Sequence, residues 1–223
     1  MEKTMRVTGK GQISVKPDTI RLVINLEGKG AEYAQVIKES SDMTNSLKSV
    51  FEGLGFDKSD LKTIYFNIDP EFESYQAKDK SWKRRLIGYK YIHKTKIEFP
   101  INNELLGKIL YSISHFSNGP EFHIEYTVAD PEKAKNELLA SAVKDGIAKS
   151  KVLAEAANVY RGEILSIDYS WEEMDIVSIP MNTRMLETRC MNVSDRAEGS
   201  YDIDIEPDDI KVSDSVTIVW KIR

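Results

Sequence analysis

The sequence predicts an α+β protein, with three helices packed on antiparallel or mixed sheets. Three observations point there. Apolar residues alternate with polar ones in short stretches along most of the chain, the pattern of strands half buried in a sheet. Three longer stretches carry apolar residues at helical spacing instead. From Asp18 to Ala129 these elements follow in the order strand, helix, strand, strand, helix, strand, the split arrangement in which one antiparallel sheet carries two helices on one face.

In chain order, Met5, Val7, Ile13 and Val15 alternate with Arg6, Thr8, Gln12 and Ser14, with Gly9 and Gly11 in the apolar register. That is a first strand, and glycines inside it mark a bulge or a close backbone approach. Pro17-Asp18 turns the chain, and Ile20, Leu22, Ile24 and Leu26 form a second strand. Gly28 and Gly30 read as a plain turn into a helix marked by Tyr33, Ile37, Met43, Leu47, Val50, Phe51 and Leu54, closed by Gly55. A third strand runs from Leu61 to Phe72 with Ile64, Phe66 and Ile68 inward, and a fourth from Gly88 to Phe99. Asn102 or Asn103 caps a short helix carrying Leu105, Leu106, Ile109, Leu110 and Ile113, and Phe122, Ile124, Tyr126 and Val128 make the fifth strand. Together, residues 18–130 read as a ferredoxin-like β-α-β-β-α-β unit.

The third helix is the longest, expected over 131–158. Asp130 caps it and Pro131 takes the first helical position, where no backbone donor is missed. Ala134, Leu138, Leu139, Ala142, Val152, Leu153, Ala156 and Ala157 fall on one arc. Asp145 and Lys149 interrupt it four residues apart, acid first, the better orientation for a helical ion pair. Asn158 suits a left-handed stop, and Leu165, Ile167, Tyr169 and Trp171 alternate as a strand. A last strand carries Val212, Val216, Ile218, Trp220 and Ile222 inward. Residues 1–17 and 131–223 thus form a second, smaller, discontinuous α+β unit with a long loop over 172–209.

Composition narrows the function classes. A net charge of −5 argues against non-specific binding to nucleic acid or to acidic membranes. The single cysteine, Cys190, excludes an internal disulfide and a thiolate-rich metal site. No apolar run approaches the roughly 20 residues that span a bilayer. The amino terminus enters strand pattern almost at once and has no hydrophobic signal core, so the chain reads as cytoplasmic. A periplasmic or secreted protein whose leader had been removed would look the same.

Several stretches resemble a known family. Val7-Thr8-Gly9-Lys10-Gly11 followed by Val15-Lys16-Pro17-Asp18 resembles the opening of the SIMPL-domain proteins, domain of unknown function 541. Asp60-Leu61-Lys62-Thr63, Gly88-Tyr89, the helix positions Ala142, Asp145, Lys149, Leu153, Ala154 and Gly162, and Val212-Ser213-Asp214-Ser215-Val216 are similar to the family's later motifs, in the right order. Gly146, Ser150 and Asn158 depart from the usual Ala, Ala and Gly, each keeping the small or left-handed requirement. The resemblance implies a two-part α+β fold, self-assembly into ring-like oligomers, no accepted enzymatic activity and no known cofactor.

Reactive constellations are sparse. Gly28-x-Gly30 lacks the third glycine and the Gly-Lys-Ser/Thr of a phosphate loop. His93 shares the strand face of Tyr89, Tyr91 and Ile97 and reads as a packing residue, and His123 between Glu121 and Glu125 lacks a second ligand set. No serine sits in a nucleophile elbow. Lys78, Lys80, Lys83, Arg84 and Arg85, with Tyr75 and Trp82 interleaved, read as a solvated strand connection anchored by Trp82 rather than as a nucleic-acid patch. Asp202, Asp204, Glu206 and Asp208 mimic a calcium loop, but Pro207 stands where a glycine turn is wanted. The loop over 172–209 carries Met174, Met181, Met185 and Met191, adaptable side chains suited to a contact surface.

These readings favour a non-enzymatic, self-associating interaction protein, a homo-oligomer with no cofactor, no nucleic-acid partner and no membrane. Trp171, Met174, Met181, Met185, Met191 and Tyr201 are its candidate contact residues, and 172–209 also offers a surface to a protein partner. One alternative is a small-ligand module with a pocket where the two units meet, lined by Trp171, Tyr169 and Tyr201; another is a hydrolase whose carboxylates converge from distant parts of the chain, for which no nucleophile, metal set or acid–base pair stands out.

Overall fold

A computed structural model describes residues 3–116, 119–169, 175–178 and 200–223. Its elements are β1 (Thr4–Val15), β2 (Thr19–Gly30), α1 (Tyr33–Gly53), β3 (Lys62–Gln76), β4 (Trp82–Pro100), α2 (Asn103–Ser114), β5 (Glu121–Thr127), α3 (Pro131–Ala156), β6 (Arg161–Tyr169), β7 (Val177–Ser178) and β8 (Ile210–Ile222). Two antiparallel sheets result, one with the order β1-β8-β6 and the other β3-β4-β2-β5-β7. The α+β class expected from the sequence is the observed one. By compactness the described chain divides into two units, the first holding 3–18, 126–178 and 207–223, the second 19–125 and 200–206.

In the first unit α3 lies on the three-stranded sheet. Asp130 caps the helix by accepting from Lys133 N at 2.9 Å, and Asn158, at φ 53°, ends it in the left-handed region. The covered row is Ala134, Leu138, Ala142, Gly146, Ser150 and Ala154, one residue in every four. Such a row is inclined to the helix axis by about 26° and follows a twisted sheet beneath it. The expected arc is right in its first half only. Val152 and Leu153 face solvent, because beyond Ala142 the sheet meets the small residues instead. The reason is β1. A methyl group on Gly9 would strike the Ala142 carbonyl oxygen and the backbone of Gly146, and one on Gly11 the Leu138 carbonyl oxygen. The backbones meet directly, and Val7, Ala142, Val216, Ile218 and Trp220 close over the contact as one core. Asp145 fixes the register. Its Oδ2 accepts from Lys10 N at 2.6 Å and from Lys149 Nζ at 2.7 Å, and the Lys149 ammonium, then the Lys10 amide, hold its carboxyl below the usual range.

In the second unit β2, β3, β4 and the start of β5 follow the split order expected from the sequence. Gly28 and Gly30 correct the reading of a turn. Both lie inside β2, where a side chain on Gly28 would run into the Tyr91 ring and one on Gly30 into Val36. Asn102 caps α2 by accepting from Leu105 N at 3.0 Å. Strand β3 departs from expectation. Ile64 and Phe66 face solvent rather than the core, because β3 is an outer strand and α1 lies over β2 and β4 instead.

His93 ties α1 to the sheet. The buried ring has Ser40 Oγ at 3.2 Å and Thr44 Oγ1 at 3.0 Å from Nδ1, and Thr63 Oγ1 at 2.8 Å from Nε2. Phe66 stands edge-on at 5.1 Å. Thr44 Oγ1 also donates to the Ser40 carbonyl oxygen, so its lone pairs are left to receive an N–H from Nδ1. Burial first, and then the Lys48 ammonium, push the imidazole below its ordinary pKa.

Two outcomes follow from this packing. Gly9→Ala should lower unfolding stability by about 1–3 kcal/mol, the usual cost of overpacking. Gly53→Ala, where an added methyl meets nothing within 4 Å, should be neutral or mildly stabilising, and urea denaturation of the pair checks both. For His93 the folded state favours the neutral ring. Its contribution is therefore complete above the unfolded value of about 6.5 and is lost as pH falls through that value toward the lowered folded one. Urea midpoints should drop over this window, and His93→Asn should flatten the drop; an unchanged slope would contradict the assignment.

Candidate interaction surface

The sequence nominated contact residues mostly in 172–209. Trp171, Met174, Met181, Met185 and Met191 lie outside the described residues, as does Cys190. Tyr201 is described, in the second unit. Its N–H donates to the Gly107 carbonyl oxygen at 3.3 Å, its hydroxyl lies 3.0 Å from Ser114 Oγ, and its ring meets Tyr111 edge-on at 5.6 Å. Tyr201 thus packs along α2, and Gly107 permits it, since a methyl there would strike the Tyr201 carbonyl oxygen. After it, Asp202, Asp204 and Glu206 point outward while Ile203 and Ile205 are half buried. The segment belongs to no described helix or strand.

Exposed apolar surface gathers in two other places. The first is β6, an edge strand of the three-stranded sheet. Its Ile164, Ile167 and Tyr169 stand opposite Trp220, Ile218 and Val216 of the core, yet are 45%, 46% and 41% exposed. The cause is the position of α3, which covers β1 and β8 and reaches β6 at its start, where Arg161 donates to the Ile147 carbonyl oxygen at 3.1 Å and to Ser150 Oγ at 2.7 Å. Beyond Arg161 no described element covers the strand's core-side face or pairs with its outer edge.

The second is the distal part of β3 and β4. Beyond the bulge between Glu71 and Phe72, these two strands pair only with each other, from Phe72↔Leu86 to Gln76↔Trp82. β2 has already ended at Gly30, opposite Tyr89. Every residue of this arm from 72 to 76 and from 82 to 87 is exposed. One face carries Phe72, Leu86, Arg84 and Trp82, the other Glu73, Arg85, Tyr75 and Lys83. The Arg84 guanidinium sits 4.7 Å over the Phe72 ring, and Arg85 bridges Glu73 at 2.6 Å and faces Tyr75. Trp82, expected to anchor the connection, is 73% exposed and anchors nothing. The strands run six residues further than the sequence suggested at the start of β4, and the signal for this was the alternation of Trp82, Arg84 and Leu86 with Lys83 and Arg85.

Groups with catalytic or metal-binding potential are scattered. His123 Nε2 lies 3.1 Å from Glu125 Oε1, and His115 Nδ1 lies 2.8 Å from the Tyr111 carbonyl oxygen. Among the described residues no group of three or more His, Cys, Asp or Glu converges on one point. No helix among them is long and apolar enough to cross a membrane.

Similarity to known proteins spans nearly all of this architecture. Over 219 residues the chain is 23% identical to the 26 kDa periplasmic immunogenic protein of Brucella melitensis and 22% identical to the protein of the same name from Brucella abortus. Each match takes in 97% of this chain and 84% of the relative. Both relatives are named as periplasmic, so they lend no support to the cytoplasmic reading of the amino terminus. Residues 5–220, from within β1 into the last residues of β8, match the model of SIMPL, a protein of unknown function (DUF541), and the chain belongs to that family.

Proposed function

We propose that this protein is a non-enzymatic interaction protein that acts by associating with further copies of itself. The observation that carries the reading is the edge position of β6, which no other described strand pairs on its outer side. An edge strand presents unpaired backbone N–H and C=O groups, and proteins that stay monomeric blunt such edges with charge, proline or a cover. Strand β3, an outer strand of the other sheet, has both a proline, Pro70, and two bulges. Strand β6 has bulges near its start, but from Ser166 to Tyr169 it pairs regularly with β8, and it exposes Ile164 and Ile167. A second copy laid against it would continue the ladder and cover the apolar side chains together. Isologous contacts of this kind reuse one patch on both partners. The names of the Brucella relatives support a periplasmic setting for such an assembly.

Light scattering and sedimentation velocity test the reading. The native protein should sediment above the mass of one chain, 25.4 kDa, at micromolar concentration. Ile164→Lys combined with Ile167→Lys places two charges on the exposed strand and should weaken association by about tenfold or more, with little loss of folding stability. A monomeric native protein would overturn self-association, and a double variant of native mass would remove the β6 edge from it.

A further inference from the structure

Helix α3 takes one face of the three-stranded sheet, where it meets Val7, Gly9 and Gly11 of β1 and Val216 and Ile218 of β8. Side chains alternate along a strand, so the residues between these point from the opposite face. On β1 they are the even positions from Thr4 to Ser14, and on β8 their ladder partners, the odd positions from Lys221 to Lys211. Those twelve positions hold four cations, Arg6, Lys10, Lys211 and Lys221, and not one carboxylate. In a chain of net charge −5 this face is of the opposite sign to the whole. Six of the remaining eight are serine or threonine, and only Val219 is apolar. Arg6, Lys10 and Lys211 are exposed, and among the described residues none of the three forms an ion pair. The nearest acids stand aside. Asp214 lies opposite Gly11 on the helix side, Glu163 and Asp168 belong to β6 beyond β8, and Asp209 accepts from Ser14 Oγ at 3.0 Å.

The cations are spaced. Four residues of strand, about 13.5 Å, separate Arg6 from Lys10, and the same step leads from Lys10 to Ser14, whose ladder partner is Lys211. Hydroxyls fill the intervals. Thr8 Oγ1 and Thr217 Oγ1 lie 3.3 Å apart midway between Arg6 and Lys10. Around Lys211 is a shallow hollow of about 380 Å³, lined by Gln12, Ser14, Lys211 and Ser213 with Ile13 and Val212.

This pattern discriminates among anionic partners. Duplex DNA carries one charge per roughly 1.7 Å of its axis, so most of its phosphates would go unmatched. Single-stranded nucleic acid stacks on aromatic platforms, and none of the twelve positions is aromatic. A protein partner is held by buried apolar or aromatic anchors, and Val219 alone is offered. A sugar polymer whose acid groups are separated by neutral, hydroxylated stretches fits both the spacing and the chemistry, since serine and threonine hydroxyls both donate and accept. We propose that the outward face of β1 and β8 binds an acidic polysaccharide, with Arg6, Lys10 and Lys211 on its carboxylate or sulfate groups and Thr8 and Thr217 on the sugar hydroxyls between them. The site is independent of the self-association proposed above, which engages the outer edge and core-side face of β6.

Surface plasmon resonance on immobilised hyaluronate, chondroitin sulfate and uncharged dextran tests the proposal. Hyaluronate carries a carboxylate on every second ring, and chondroitin sulfate adds sulfate to the same repeat, so their relative affinities report which anionic group is held. At least one should bind, more weakly as sodium chloride is raised, and dextran should not. The variant Arg6→Gln, Lys10→Gln and Lys211→Gln should weaken binding by about tenfold or more. Lys78→Gln, Lys80→Gln and Lys83→Gln, an equal change of charge on the β3–β4 arm, should leave it within about twofold. Lys10→Arg with Lys211→Arg should retain it, and Thr8→Ala with Thr217→Ala should weaken it about threefold at unchanged salt dependence. Should circular dichroism find the triple glutamine variant misfolded, Arg6→Gln and Lys211→Gln must each weaken binding singly. No binding of the native protein to either acidic glycan, an equal loss in the arm variant, or no loss in the threonine variant would each overturn the proposal. Tighter binding to duplex DNA or to phosphatidylserine vesicles than to both glycans would overturn it in favour of that partner.

Discussion

The contact on which the first unit depends is backbone against backbone. Gly9 and Gly11 of β1 lie against the turns of α3 at Leu138, Ala142 and Gly146 with no side chain between them. Protein interiors are packed as densely as organic crystals, so the gap cannot widen by a methyl group without opening the core of Val7, Val216, Ile218 and Trp220. The polar latch follows from that closeness. Only a helix lying this near the strand lets Asp145 reach the Lys10 amide while holding Lys149 one turn on. A lone exposed ion pair would add little; here the carboxylate also satisfies a backbone donor.

Among the described residues both units show exposed apolar side chains, for different geometric reasons. Helix α3, with 26 residues, is about 39 Å long, close to the roughly 43 Å of the 13-residue β8. It matches its sheet in length but not in width, so the third strand, β6, is left at the side. In the second unit the mismatch is lengthwise. Helix α1, with 21 residues, spans about 32 Å, while the 19 residues of β4 extend for about 63 Å. What lies beyond the helix's reach is the arm. Ile164, Ile167, Tyr169, Phe72, Trp82 and Leu86 occupy such positions among the described residues. His93, the most buried of the histidines, is engaged on both ring nitrogens by hydroxyls from α1 and β3.

The legible parts of this fold were those written in local chemistry. Asp130 and Asn102 announce helix starts because a short polar side chain can satisfy a free N–H. Asn158 announces a stop because it tolerates positive φ. Gly9 and Gly11, sitting in the apolar register of a strand, announce a close approach. Gly28 and Gly30 carry the same signal and were misread as a turn, since glycine serves both purposes and only the Tyr91 and Val36 side chains across the gap distinguish them. Of the contact residues named from sequence, Tyr201 is placed on α2, and the Met-rich stretch falls outside the described residues.

The sequence by itself determined the order of strands and helices, their caps, the Asp145–Lys149 pair and the family, because each depends on neighbours a few residues away or on motifs in a fixed order. The tertiary structure decided which apolar residues are covered. Val152 and Leu153 fit the helical arc as well as Gly146 and Ser150 do, yet the small pair is buried and the large pair is not. Ile64, Phe66 and Trp82 alternate like core residues and face solvent. Periodicity says which side chains share a face; how far the opposite layer reaches over that face is set by elements distant in the chain.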